Sequence, residues 1–281
     1  MFSRNFKFFP KKRFLIFPYL LIAIIFIIAP MVIVFCKSVM PTSSGSSMLN
    51  WVFIDKFILG KIFKSIKVAF FATIIVIVLS YPFSYFLVFY VESKSIRTLL
   101  LLMMTAPTWI SFLIKIIGLK TLFDCINGYP NSTFGDIYSI LGLSYIYLPF
   151  MALPLYNTLS TMPKNLVLVS KDLGQNNFWT FIKVVFPYTL VALYSGISLV
   201  FLPSFTSISV PQFLNSSNSG SLIGDIIMEE GILAQSSDLS LARASSLSML
   251  SVIIIFSWFL FYCVVKIIRK KIKRSIWIKY G

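Results

Sequence analysis

"VSKDLGQNNFWTFIKVVFPY", residues 169–188, is a polar-containing stretch set between two long apolar runs. Its pattern is helix, glycine, helix. Leu166, Val169, Ser170 and Leu173 recur at i, i+3, i+4 and i+7 and so share one helical face. Pro163 suits the first turn of that helix. Gly174 is placed to end it in a left-handed C-cap. Asn176 or Asn177 supplies the N-cap of a second helix. Phe178, Phe181, Ile182 and Val185 repeat the apolar spacing, and Pro187 leads into the next apolar run. The segment therefore predicts two short amphipathic helices at a bend. Two roles are open on pattern alone. It could rest on lipid headgroups, or its exposed side could fit a groove on a soluble partner.

The surroundings of this segment set the fold class. The chain has 281 residues, of which 58% are hydrophobic and only 12% charged. A soluble domain carries about twice that charged fraction. Six apolar segments, roughly 14–36, 68–90, 99–119, 137–160, 189–210 and 245–265, are each long enough to cross a hydrocarbon core of about 30 Å. The expectation is an all-α polytopic membrane protein with six transmembrane helices. A β-barrel would show short dyad alternation instead of continuous apolar runs. The first run follows Lys11, Lys12 and Arg13 without a small-residue cleavage site, and is read as a retained span. Prolines 18, 30, 82, 107, 149 and 154 lie in or near spans, where neighbouring helices satisfy the freed carbonyls.

Charge sets the expected orientation. With the N-terminus inside, 17 basic residues fall on the inner side and 8 on the outer side. The positive-inside rule then predicts both ends in the cytoplasm. This gives a basic N-terminus at 1–13, a membrane domain at 14–265 containing a cytoplasmic loop at 161–188, and a basic C-terminus at 266–281. Five lysines (37, 56, 61, 64 and 67) fall in the first outer loop and run against the trend. Acidic residues are biased outward. Asp55, Asp124, Asp136, Asp225, Glu229, Glu230 and Asp238 are outside, against Glu92 and Asp172 inside. The outer side is thus a place where a cation could be held. Nucleic acid is not an expected partner, because the basic residues flank spans and do not interleave with stacking aromatics. The terminal basic clusters fit topology and anionic lipid.

Several chemistries are excluded or unsupported. There is no histidine, which removes the commonest general base and metal ligand. Cys36, Cys125 and Cys263 are far apart and form no metal or redox motif. No catalytic residue and no metal site is expected. No Gly-x-x-x-x-Gly-Lys-Ser/Thr occurs, so any phosphate-binding loop must come from another chain.

"LVSKDLGQNNFWTFIKVVFP", residues 168–187, resembles the signature loop of ABC-importer permeases: Glu-Ala-Ala, three residues, Gly, nine residues, Ile-x-Leu-Pro. Gly174 takes the Gly position and Pro187 the Pro position. Val184 and Phe186 stand where Ile and Leu are usual. Leu168, Val169 and Ser170 occupy the Glu-Ala-Ala positions, so the acidic residue is absent. "YIYLPFMALPLYNTL" (145–159), "APTWISFLIKIIGL" (106–119, with Lys115 where an Arg is common) and "FLPSFTSISVPQFLNSSNSGSLIGDIIMEE" (201–230) are similar to spermidine/putrescine permeases of the B type. The match covers roughly residues 66–265.

The resemblance implies the type I (MetI-like) ABC-importer permease architecture in a bacterial cell (inner) membrane. It implies ABC ATPase subunits as partners, carrying ATP and Mg, with no cofactor bound by this chain. It also implies a second, related permease subunit and an extracellular or periplasmic substrate-binding protein. Lys171, Asp172, Gly174, Gln175 and Pro187 are the expected coupling residues, with Phe178 and Phe181 as packing anchors. A polyamine is an extended multivalent cation and needs carboxylates and aromatic faces along its path. The candidates are Asp124, Asp136, Asp225, Glu229 and Glu230, with Trp109, Tyr145, Tyr147 and Tyr156. Glu229 and Glu230 could instead meet the binding protein, and Lys115 snorkels. Other cargo such as iron(III), thiamine or an opine stays open, as does a degenerate, non-transporting scaffold.

Overall fold

The computed structural model describes residues 16–40, 56–127, 134–215, 222–233 and 242–257. These form helices α1 (Phe17–Val39), α2 (Lys56–Phe89), α3 (Lys94–Trp109), α4 (Phe112–Ile126), α5 (Gly135–Ser160), α6 (Lys164–Asp172), α7 (Asn177–Phe205), α8 (Ser209–Leu214), α9 (Ile223–Leu233) and α10 (Ala242–Ser257). No strand occurs among the described residues. The chain divides into two units, Asp55–Ile226 and Met1–Ile54 with Ile227–Gly281.

In the second of these units, α1 is long and apolar enough to span a membrane, and none of its membrane window is buried. Residues 1–15 and 258–281, which hold most of the basic termini, lie outside the described residues, as does the end of the sixth expected span. The described part of α10, Ala242–Ser257, is apolar.

The Asp55–Ile226 unit is built on α2, α5 and α7. Small residues let these helices approach closely, as membrane helices require. Ser65, Ala69, Ala72, Thr73, Ser80 and Ser84 of α2 are all buried. Ser144 Oγ donates to the Ala72 carbonyl (3.3 Å), and Ser84 Oγ to that of Ala152 (3.2 Å). At Gly196 of α7 a Cβ would meet the Met151 sulfur, so a larger residue at this crossing with α5 requires the Met151 side chain to move. Tyr81, Met151, Leu155, Ala192 and Val200 fill the centre around Val76.

The structure corrects three of the expected spans. The second begins at Lys56, not at 68, because lysine is a good helix former and nothing between 56 and 68 breaks the helix. At 34 residues α2 is about 50 Å long and overreaches a bilayer core. The third is not straight. α3 and α4 meet at 98°. A 3₁₀ turn at Ala106–Trp109 contains Pro107, and Ile110 is extended. Ala106 and Thr105 keep helical geometry ahead of Pro107, and the chain leaves it at Ile110. The fifth begins at Asn177, so the second loop helix and the span are one helix, and it ends at Phe205. A π turn at Phe181–Val185 carries the chain up to Pro187, with Phe186 N donating to the Phe181 carbonyl. The same device at Ile24–Ile28 precedes Pro30. A widened turn absorbs the missing N–H and the ring's bulk without a kink. Four helices have the length and apolarity of spans, or five with the bent pair counted as one. The expected total of six is not reached among the described residues.

Candidate functional site

The loop between α5 and α7 is closed by backbone chemistry that its sequence dictates. Pro163 occupies the N-cap of α6, one residue ahead of the first turn. At the other end Gly174 has φ +77°, the left-handed region that glycine enters without penalty. Gly174 N donates to the Lys171 carbonyl (2.8 Å) and Gln175 N to that of Ser170 (3.2 Å). These are the paired bonds of a Schellman motif, and they satisfy two terminal carbonyls. Asn176 then caps α7, its side chain accepting from Asn177 N at 2.6 Å. Across the turn the hydroxyls of Ser170 and Thr180 are 3.1 Å apart, both buried.

One side of this unit is packed against the bundle. Val185 is fully buried among Val88, Leu159 and Met162, with Tyr85, Phe89, Tyr156, Val167, Phe181 and Val184 around them. The Phe181 ring meets Tyr81 edge-on at 5.3 Å and Tyr85 at 5.6 Å. Tyr81 continues the path, its hydroxyl 2.5 Å from Thr189 Oγ1. Phe181 is thus the internal anchor that joins the loop to α2.

The other side is open. Leu173 is 75% exposed, Phe178 64% and Trp179 51%. Leu166, Leu168 and Val169 are exposed as well, as are Lys171, Asp172, Gly174 and Pro187, with Gln175 half-buried. Lys183 lies over the Trp179 ring at 5.0 Å. The stripe of Leu166, Val169, Ser170 and Leu173 therefore does not act as one packed face, since only Ser170 is buried. Phe178 is open on this side, with its ring against Trp179 at 6.1 Å. Periodicity locates an apolar stripe but does not say what covers it. Trp179, Thr180 and the ring partners of Phe181, Tyr81 and Tyr85, were not singled out by sequence reasoning, although the alternation of buried Thr180 with exposed Trp179 follows from helical spacing.

The candidate path residues do not form one cluster. Tyr156 belongs to the loop end, beside Phe181. Tyr147 is half-buried at mid-bundle, and Tyr145 is exposed on α5. Trp109 is 71% exposed at the break between α3 and α4, and Asp124 is half-buried on α4. Glu229 and Glu230 lie on α9 beyond Ile226, Glu229 exposed and Glu230 half-buried.

At the end of the bundle opposite the loop, two carboxylates are already engaged. Asp136 Oδ1 receives the Lys64 ammonium at 2.8 Å and the Asn215 amide at 3.0 Å. Asp225 Oδ2 accepts from Leu222 N at 2.9 Å, capping α9. Ile223 N donates to Ser65 Oγ at 2.9 Å. Lys64, Ser65 and Asn215 were invisible to a search for carboxylates. Gly135 was the available signal, because a Cβ there would overlap the Asn215 side chain. No group of residues able to hold a metal occurs among the described residues.

Comparison with known proteins fits this arrangement. The chain is 42% identical over 187 residues to the spermidine/putrescine transport system permease protein PotB homolog of Mycoplasma pneumoniae, a match covering 64% of this chain and 65% of that one. It is 35% identical over 261 residues to the homolog of the same name in Mycoplasma genitalium, covering 88% and 90% of the two chains. It is 30% identical over 226 residues to PotB of Escherichia coli, covering 73% and 80%. Residues 90–274 match the model of the binding-protein-dependent transport system inner membrane component, a span that contains the whole Gly174 loop, and the chain belongs to that family.

Proposed function

We propose that the chain is a permease subunit of an ATP-driven polyamine importer. It would line part of the translocation path and couple that path to a separate ATPase. The observation that carries the coupling role is the divided surface of the 161–188 loop. Its inner side is tied through Phe181 to α2 and α5, while its outer side presents Leu173, Phe178 and Trp179. Large exposed apolar groups beside charged ones mark a docking surface. Spermidine and putrescine as cargo are supported by what the similar permeases are named for.

In this reading ATP and Mg sit on partner ATPase subunits, which hydrolyse ATP in trans. A related permease subunit completes the path, and an external binding protein delivers cargo. The chain sits in a bacterial cell (inner) membrane with the loop and both termini in the cytoplasm. Lys171, Asp172, Gly174 and Gln175 meet the ATPase together with the exposed aromatics. Closure of the ATPase pair pushes on the loop, and the packed Phe181 joint passes this to α2, α5 and α7 as a rigid-body tilt. Asp136 and Asp225 make structural bonds in the cargo-free protein, and Asp124, Glu229, Glu230 and the aromatic faces of Trp109 and Tyr145 are also open to a cation.

The test is co-purification of the ATPase with the permease from solubilised membranes. Gly174→Pro removes a donor and cannot adopt φ +77°. It is expected to abolish co-purification, whereas Lys94→Ala, on exposed α3, leaves it intact. Undiminished ATPase recovery with Gly174→Pro would place the contact elsewhere.

A further inference from the structure

The end of the bundle opposite the loop is held by polar bonds between segments remote in sequence. Lys64 of α2 reaches Asp136 on the first turn of α5, and Asn215, following α8, binds the same carboxylate oxygen. Ser65, the next residue on α2, receives Ile223 N from the start of α9. Adjacent positions of α2 thus tie it to two separate segments. The supports differ in rigidity. Asn215 is buried, its backbone N–H bonded to the Pro211 carbonyl at 2.8 Å, and Gly135 makes room for its amide. The Asp136 side chain, by contrast, is 48% exposed and that of Lys64 25%. An ion pair this open to water exchanges its partners readily. The firm part of the arrangement is an acceptor oriented by a buried amide, and the loose part is an alkylammonium.

We propose that Lys64 is a resident ammonium that clasps the ends of α2 and α5 together through Asp136, and that a cargo ammonium replaces it there when the path opens on this side. A lysine side chain is a four-carbon chain ending in –NH₃⁺, so a primary alkylammonium offers Asp136 the same donor at the same distance. Cargo arrival then removes the clasp without leaving the carboxylate unpaired. This replacement step rests on the polyamine reading and on the placement of this end outside. The clasp itself rests on neither.

The experiment measures the separation of the two helix ends in the assembled transporter in nanodiscs. Cys36, Cys125 and Cys263 are replaced by serine. Spin labels are placed at Phe57 of α2 and Ile137 of α5, both exposed. Without cargo or nucleotide, the unaltered pair is expected to give one short distance. Lys64→Met is expected to add a longer population, and the exchanged pair Lys64→Asp with Asp136→Lys to restore the short one. Identical distances in the native protein and Lys64→Met would overturn the clasp. Putrescine dihydrochloride added to the native protein is expected to produce the longer population, while sodium chloride of equal ionic strength does not. A complex that takes up putrescine yet shows no such shift would overturn the replacement step. Absence of polyamine uptake would count against the cargo reading, and the cargo-free comparison would still decide the clasp.

Discussion

Ser170 and Thr180 hold their hydroxyls 3.1 Å apart in the buried angle between α6 and α7, directly across the turn made by Gly174. The structure gives the polarity of Ser170 a use, because the bond fixes the angle at which the exposed side of the loop is displayed. Removing one partner leaves the other buried. Ser170→Ala is therefore expected to lower stability by about 1–2 kcal/mol. Ser170→Ala combined with Thr180→Val should cost less than the two single changes summed. Thermal unfolding of the four proteins in one detergent measures this coupling, and strict additivity would mean that the bond does not matter.

Gly174 has open space where a Cβ would go, so the cost of a substitution there is conformational and not steric. Gly174→Ala is expected to cost about 1–2 kcal/mol locally, the penalty for an L-residue in left-handed geometry. Gly174→Asn should cost less, since asparagine tolerates that region. Hydrogen exchange at the Gln175 amide reports on the turn directly, with faster exchange in Gly174→Ala than in Gly174→Asn.

Phe178 and Phe181 are three residues apart and are expected to separate binding from folding. Phe181 packs on Tyr81 and Tyr85, whereas Phe178 is 64% exposed. Phe181→Ala should destabilise the permease by about 3 kcal/mol, the low end for a packed phenylalanine. Phe178→Ala should leave the unfolding temperature within error and reduce ATPase recovery. Equal thermal effects in the two variants would refute the division of the loop into inner and outer sides.

Tyr81 and Thr189 share a buried bond of 2.5 Å, yet Thr189 Oγ1 also reaches the carbonyls of Val185 and Phe186. Tyr81→Phe therefore leaves no orphaned donor. It should cost only about 1 kcal/mol, and ATP-dependent uptake should persist. A collapse of folding would show that the hydroxyl has a further partner.

The sequence made much of this legible, and for physical reasons. The Gly174 C-cap was readable, and the second helix's N-cap could be narrowed to Asn176 or Asn177, because local backbone chemistry decides them. The helical class followed from runs of apolar residues that only a bilayer accommodates. Failures arose where local rules are silent. Lysine density at 56–67 looked like a loop, although lysine imposes no break on a helix that neighbours support. Apolar count across 99–119 could not see that the run breaks at Ile110 into two helices at 98°. Pro187 looked like a boundary because the π turn that accommodates it has no residue signature. At the far end, Asp136 was recognisable as a carboxylate, but its partners Lys64 and Asn215 are remote in sequence, Asn215 by 79 positions. Only the packed bundle brings Lys64 and Asn215 to Asp136.

The central claim is that this chain passes polyamines across a membrane under the control of an external ATPase. Its most direct test is uptake by proteoliposomes containing the chain with its cognate permease, ATPase and binding protein. Labelled spermidine and putrescine are compared with thiamine and iron(III), with ATP on the ATPase side. The account predicts ATP-dependent accumulation of the polyamines alone, lost in Gly174→Pro. ATP-dependent accumulation of thiamine or iron(III) in place of polyamines, or no transport by an intact complex, would contradict it.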